Sequence, residues 1–140
     1  MIFVDTGFFF AFFSAKDPDH SRCREVFESF KDRRLPELLL TTDHVVFETI
    51  TLTCMRIGHE RAVFVGERLY SGKMARIYET SFEEQLTAFE YFKRHSDKRY
   101  SAVDCLSFVV MEKLEIGEAL AVDEDFTHRF IARPGPRRRM

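Results

Sequence analysis

The chain has 140 residues, enough for one domain, and 45% hydrophobic residues supply a core without a linker-like stretch to divide it. A formal charge of -2 argues against holding nucleic acid by global charge, although local basic patches can still neutralise phosphates. Three widely spaced cysteines, Cys23, Cys54 and Cys105, fit neither a disulfide framework nor a C-x-x-C zinc pattern, so a reducing, cytoplasmic setting is expected.

The first element is a strand, Ile2 to Val4, closed by Asp5. The greasy run Phe8 to Phe13 superficially resembles an export signal. It lacks a basic leader, carries Asp5 where such a signal is apolar, and is about half the ~20 residues needed to span a bilayer, so no membrane association is expected. Instead, residues Gly7 to Ala15 read as a buried helix, followed by a turn at Lys16-Asp17-Pro18-Asp19. Asp19 is placed to cap a helix from His20 to about Lys31, with Cys23, Val26, Phe27 and Phe30 at three-to-four spacing. His20, alone after a turn, reads as a capping or packing residue.

Pro36 precedes a short strand, Leu38 to Thr41, and Thr42 or Asp43 starts a helix to Arg56 that Gly58 stops. A second helix runs from Glu60 to about Tyr70. Ala75 to Glu79 is the third strand, and the Ser81/Glu84 capping-box spacing opens a helix through about Arg94, to which Phe82, Leu86, Phe89 and Phe92 or Lys93 give one apolar face. Ser101 to Leu114 is a further helix, Ala119 to Val122 a fourth strand, and Phe130 to Arg133 a candidate fifth. Strands alternating with helices predict an α/β fold with a parallel sheet covered on both faces. The domain is expected over residues 1–133, with a basic tail over 134–140 that contains Arg137, Arg138 and Arg139.

Four acids stand at the edges of these elements. Asp5 follows an apolar strand, where a charge must be exposed, paired or bound to a cation, unless Asp5 or Thr6 caps the next helix. Glu48 lies on a helical face between Val45 and Leu52, where a carboxylate needs a partner. Asp104 has capping-box spacing with Ser101, a role compatible with binding a cation. Asp123 follows the fourth strand, and Asp125 lies two residues on; only one of these two need be a ligand. Hard cations such as Mg²⁺ and Mn²⁺ take oxygen ligands and keep several waters, so such a set predicts a metal site suited to phosphoryl chemistry. No P-loop motif and no Ser-His-Asp or Cys-His constellation is evident.

The succession Val4-Asp5-Thr6-Gly7, the Asp17-Pro18-Asp19-His20 turn, Glu48, Ser101-Ala102-Val103-Asp104 and Val122-Asp123-Glu124-Asp125-Phe126 resembles the PIN-domain family, and within it the VapC-type ribonuclease toxins. The resemblance covers Ile2 to about Phe130. It implies a PIN-like α/β/α sandwich with a central parallel sheet of four to five strands, Mg²⁺- or Mn²⁺-dependent endoribonuclease activity, homodimerisation and inhibition by a cognate antitoxin. Asp5, Glu48, Asp104 and Asp123 match the family's acidic quartet, with Thr6 and Ser101 at its accompanying hydroxyl positions. Ala121 departs from the pattern, since many relatives carry a hydroxyl residue two positions before the fourth acid.

Lys93, Arg94, His95, Lys98 and Arg99 precede the helix bearing Asp104, which makes Lys93, Arg94, Lys98 and Arg99 candidate RNA contacts; their plainer role is to complement the end of the preceding helix. The Asp43–Arg56 and Glu60–Tyr70 helices are the expected antitoxin groove. The alternatives are a PIN-type RNA-processing nuclease that is not a toxin, or a non-catalytic α/β regulatory or partner-binding module. A receiver-like module would show paired acids after the first strand, where Asp5 stands alone.

Overall fold

The computed structural model describes residues 1–137. Among these, five strands form one sheet in the order β3-β2-β1-β4-β5, every neighbouring pair parallel, and seven α-helices flank it. The strands are β1 (Ile2–Val4), β2 (Leu39–Thr42), β3 (Arg76–Tyr78), β4 (Glu118–Ala121) and β5 (Ile131–Pro134). The helices are α1 (Thr6–Phe13), α2 (His20–Glu28), α3 (Leu35–Leu38), α4 (Asp43–Arg56), α5 (His59–Tyr70), α6 (Phe82–Arg94) and α7 (Ala102–Lys113), with a 3₁₀ turn over Asp125–His128.

The order has a direct consequence for function. From β1 the chain winds outward through β2 to β3, then returns to the other side of β1 to place β4 and β5. The winding therefore reverses between β1 and β4, and ligands of such sheets bind beyond the carboxyl ends of the strands at that reversal. Asp5 and Asp123 follow those two strand ends. The ladder is extended past β1 by the Asp5 amide donating to the Leu120 carbonyl at 3.0 Å, which fixes the backbone of Asp5 against β4.

Strands buried on both sides need continuous apolar runs, and β1 and the core of β4 consist of them: Phe3, Val4, Ala119 and Leu120 are essentially inaccessible. Helix α1 is apolar nearly all round, as a helix enclosed by protein must be, with Phe8, Phe9, Phe10, Ala11 and Phe13 buried. An aromatic cluster closes the other side of the core, where Phe108 meets Phe126 and Tyr100 edge-on at 5.0 Å each. His20 turns its Nδ1 to the Ala11 carbonyl at 2.8 Å and ties α2 to α1, the packing role expected of it. All three cysteines are free, Cys23 and Cys105 buried and Cys54 exposed.

Two expectations are corrected. Leu38, expected to open the second strand, instead closes a four-residue helix, Leu35–Leu38, because Pro36 falls in the first helical turn, where its missing N–H costs nothing. On α6, the face carrying Phe82, Leu86, Phe89 and Phe92 is exposed, while Glu84 and Ala88 are buried. The period was real, but the helix is anchored through polar contacts: Glu84 accepts from the Tyr78 hydroxyl at 2.6 Å, the Ser81 amide at 2.8 Å and Lys113 Nζ at 2.9 Å.

Beyond β5, Arg137 reaches Asp19 at 3.4 Å. The rest of the basic tail, Arg138 and Arg139, lies outside the described residues.

Candidate active site

Asp5 occupies the N-cap position of α1 with extended backbone (φ −92°, ψ 162°), yet its side chain makes no capping hydrogen bond. The capping explanation of this acid therefore lapses, and a carboxylate only 3% exposed is left for another purpose. Its neighbour Thr6 is equally informative. Among the described residues, Thr6 Oγ1 is the one buried side-chain polar atom without a hydrogen-bond partner, and such an orphan is costly unless a ligand or water completes it.

Asp104 does cap. Ser101 Oγ accepts from the Asp104 amide and Asp104 Oδ2 accepts from the Ser101 amide, both at 3.0 Å. That box fixes the start of α7 and commits one carboxylate oxygen, Oδ2. Glu48 is half-buried on α4, whose start is capped by Thr42 Oγ1 accepting from Val45 at 3.1 Å. Asp123 follows β4 and is the most exposed of the four acids; its Oδ1 accepts from the Asp125 amide at 3.1 Å, which curls the loop into the 3₁₀ turn.

These four segments, distant in sequence, meet. Asp5, Thr6, Glu48, Ser101, Asp104 and Asp123 line one cleft of about 360 Å³. Asp125 is not in the lining, but its charge acts on Asp104 from the side. Lys93, Arg94, Lys98 and Arg99 are exposed and are not brought into the cleft; Lys93 pairs with Glu90 at 2.8 Å.

Crowded carboxylates shift one another. Burial, then the negative charges of Asp104, Asp123 and Glu48, push the Asp5 carboxyl well above the usual carboxylate range. Burial raises Asp104 to about 7, with Asp123, Asp125 and Glu48 adding to the effect and the Ser101 amide partly opposing it. The carboxyls of Asp123 and Asp125 are also raised, in each case by loss of water first; the Asp125 charge adds to the effect at Asp123, while at Asp125 the nearby His128 opposes it and Glu124 adds to it. Such a cluster is destabilised when every member is ionised, and a cation relieves it.

Among the described residues no three His, Cys, Asp or Glu side chains are drawn together tightly enough to cage an ion unaided. The arrangement is an open, all-oxygen cleft, which suits a hard cation that retains several waters. It suits zinc poorly, since no His or Cys lines it.

The cleft also holds four residues that the sequence did not mark as site residues: Phe10, Asp17 of the turn after α1, Leu52 and Arg56. Arg56 brings a cation among the acids. The signal was present, because Glu48, Leu52 and Arg56 recur at four-residue spacing along one face of α4.

Comparison with known families matches residues 2–129 to the PIN domain. The 23S rRNA-specific endonuclease VapC20 of Mycobacterium tuberculosis is 35% identical over 127 residues, 91% of this chain and 92% of that protein. A VapC ribonuclease of Archaeoglobus fulgidus is 31% identical over 132 residues, 93% of this chain and 81% of its own length. The crystal structure of M. tuberculosis VapC20, described as a sarcin-ricin loop cleaving toxin, superposes with a TM-score of 0.82 at 34% identity, covering 91% of this chain and 94% of that one.

Proposed function

The chain belongs to the PIN-domain family, among its VapC-type ribonucleases, and from that membership we propose that it is an endoribonuclease toxin whose active centre is the acid cleft. The observation that carries the proposal is the meeting of Asp5, Glu48, Asp104 and Asp123 in one cleft at the reversal of the sheet. In this reading the four carboxylates hold Mg²⁺ or Mn²⁺, with Asp123 rather than Asp125 as the fourth acid because Asp123 lines the cleft. When bound, the cation neutralises phosphate charge and lowers the pKa of water so that hydrolysis proceeds near neutral pH.

The chain's own residues do the positioning. The Asp5 backbone is held by the hydrogen bond its amide donates to the Leu120 carbonyl of β4, which sets where its side chain leaves the sheet edge. The Ser101 box orients Asp104. Thr6, with an unpartnered hydroxyl, offers a hydrogen bond to whatever enters. Arg56 offsets the acids and draws in a substrate phosphate. Water adds to phosphorus, the bond to the 3′ oxygen breaks, and the products are a 5′-phosphate and a 3′-hydroxyl.

The RNA class is proposed from the relative: a structured ribosomal loop of the sarcin-ricin type, as the name of the M. tuberculosis protein states for that protein. A cognate antitoxin is the partner, and the α4 and α5 helices are its proposed groove. A homodimer is supported by the exposed apolar face of α6. No helix among the described residues is long and apolar enough to cross a membrane, and a cytoplasmic toxin is the reading we adopt. Lys93, Arg94, Lys98 and Arg99 serve in it as RNA contacts outside the cleft.

The test is incubation of partner-free protein with a 23S rRNA fragment bearing that loop, in Mg²⁺, Mn²⁺ or EDTA. Site-specific cuts carrying 5′-phosphate ends, lost in EDTA and in Asp5→Asn, support the reading. Intact RNA under all conditions contradicts it.

A further inference from the structure

Beside the acid cleft lies a larger groove, about 620 Å³, between the end of α1, the turn that follows it and the α4–α5 junction. The two share Phe10, Asp17 and Arg56 in their linings, so they are one continuous depression. The groove adds Phe13, Lys16, Ile57 and Arg61. Three of its residues are cationic, Lys16, Arg56 and Arg61, against one carboxylate, Asp17, and that carboxylate is engaged by the Asp19 amide at 2.8 Å in shaping the turn.

The state of the cations is the second observation. Among the described residues neither Arg56, Arg61 nor Lys16 has a carboxylate within ion-pair distance. Arg61 is nonetheless held in place, donating to the Phe13 carbonyl at 2.8 Å and lying over the Phe64 ring at 4.7 Å. Arg56 lies 5.4 Å from the Phe10 ring centroid, at the border of groove and cleft. Guanidinium groups held on aromatic rings with N–H donors to spare are pre-organised for an anion, and the fork of donors matches phosphate.

We propose that this groove is the subsite for the RNA backbone flanking the scissile bond, with Arg56 on the phosphate nearest the acids and Arg61 on one farther along. It rests on the endoribonuclease reading above and specifies how that site holds its substrate. The ligand class is a single-stranded or loop phosphodiester, because an opened strand, unlike a duplex, can follow a groove of this size between helices. The placement also answers an electrostatic need. Four carboxylates repel a phosphate, and a fixed cation on one flank lets the strand approach before the chemistry begins.

The test uses fluorescently labelled sarcin-ricin loop RNA, titrated by anisotropy against Asp5→Asn protein across NaCl concentrations, and steady-state cleavage by the wild-type acid set. Arg56→Gln and Arg61→Gln are each expected to weaken binding about tenfold and to lower the slope of log affinity against log salt by about 0.7 per lost phosphate contact. Arg61→Gln raises KM more than it lowers kcat. Arg56→Lys and Arg61→Lys retain the salt slope, which a merely structural role would not produce, and melting temperatures show whether Arg61→Gln still folds. Unchanged affinity and slope in both Gln variants overturn the subsite. So does unchanged RNA affinity with weakened binding of the cognate antitoxin, which would give the groove to a protein segment. Binding weakened by the variants without cleavage by the wild-type protein keeps the subsite and overturns the catalytic reading; neither binding nor cleavage overturns both.

Discussion

Asp5 sits where a helix cap belongs and does not cap. Its cost to the fold is measurable. In EDTA, Asp5→Asn removes a carboxyl that burial and the charges of Asp104, Asp123 and Glu48 hold well above the usual carboxylate range, so we expect it to stabilise the chain, read as a rise in melting temperature. The same substitution is expected to abolish any stabilisation that Mn²⁺ gives the wild type, and a melting curve with and without the ion reads both effects. Glu84 is the contrasting acid. Burial would raise it, but the Ser81 amide, the Tyr78 hydroxyl and Lys113 together hold it at about 2. Its contribution is complete above the unfolded carboxylate range, about pH 4.3, and is lost as pH falls toward the folded value. Glu84→Ala is expected to cost about 2–3 kcal/mol, by losing a cap and orphaning donors, while leaving RNA cleavage by the folded protein intact. Chemical denaturation beside a cleavage assay separates the two.

At the scale of elements, what the sequence reveals depends on where the determining interaction lies. Both capping boxes were legible because their partners are three residues apart: Ser81 with Glu84, and Ser101 with Asp104. Strands β1 and β4 were legible as apolar runs ended by an acid. The outward face of α6 was not, since periodicity reports that a face is apolar and not what covers it; a helix held by Glu84 can leave its phenylalanines outside. Helix α3 is one turn long and falls below what periodicity resolves. Ser101→Ala should therefore do two things at once. Loss of the cap costs about 1 kcal/mol, and the loosened Asp104 lowers kcat on the order of 10- to 100-fold, since small misplacements of a site group are that costly. Ser101→Thr restores both. Gly7 marks a tighter constraint between elements: a β-carbon there would stand 3.0 Å from a Val122 methyl.

For the molecule as a whole, the sheet order 3-2-1-4-5 does what no single motif can, bringing acids at positions 5, 48, 104 and 123 to one edge. Asp5 and Asp123 could be read from the chain because a carboxylate after a buried strand needs a reason, Glu48 because it sits on an otherwise apolar helical face, and Asp104 from its place in the ordered set. Arg56 escaped because its role depends on which neighbours α4 meets, information that resides in the tertiary fold. The crowding also sets a pH dependence. Between about pH 4, where unfolded aspartates ionise, and the value near 7 of Asp104, the folded chain keeps protons that the unfolded chain has released. Without a divalent ion the acid cleft's contribution therefore makes stability fall as pH rises through that window, and saturating Mn²⁺ should flatten the fall. The central claim is that the four acids act as one cation site, and Mn²⁺ titration calorimetry on the wild type and on Asp5→Asn, Glu48→Gln, Asp104→Asn and Asp123→Asn tests it most directly. The account predicts wild-type binding that each substitution weakens at least about tenfold, a loss of about 1.4 kcal/mol or more. Equal binding by the wild type and all four variants, or no binding by the wild type, would contradict it.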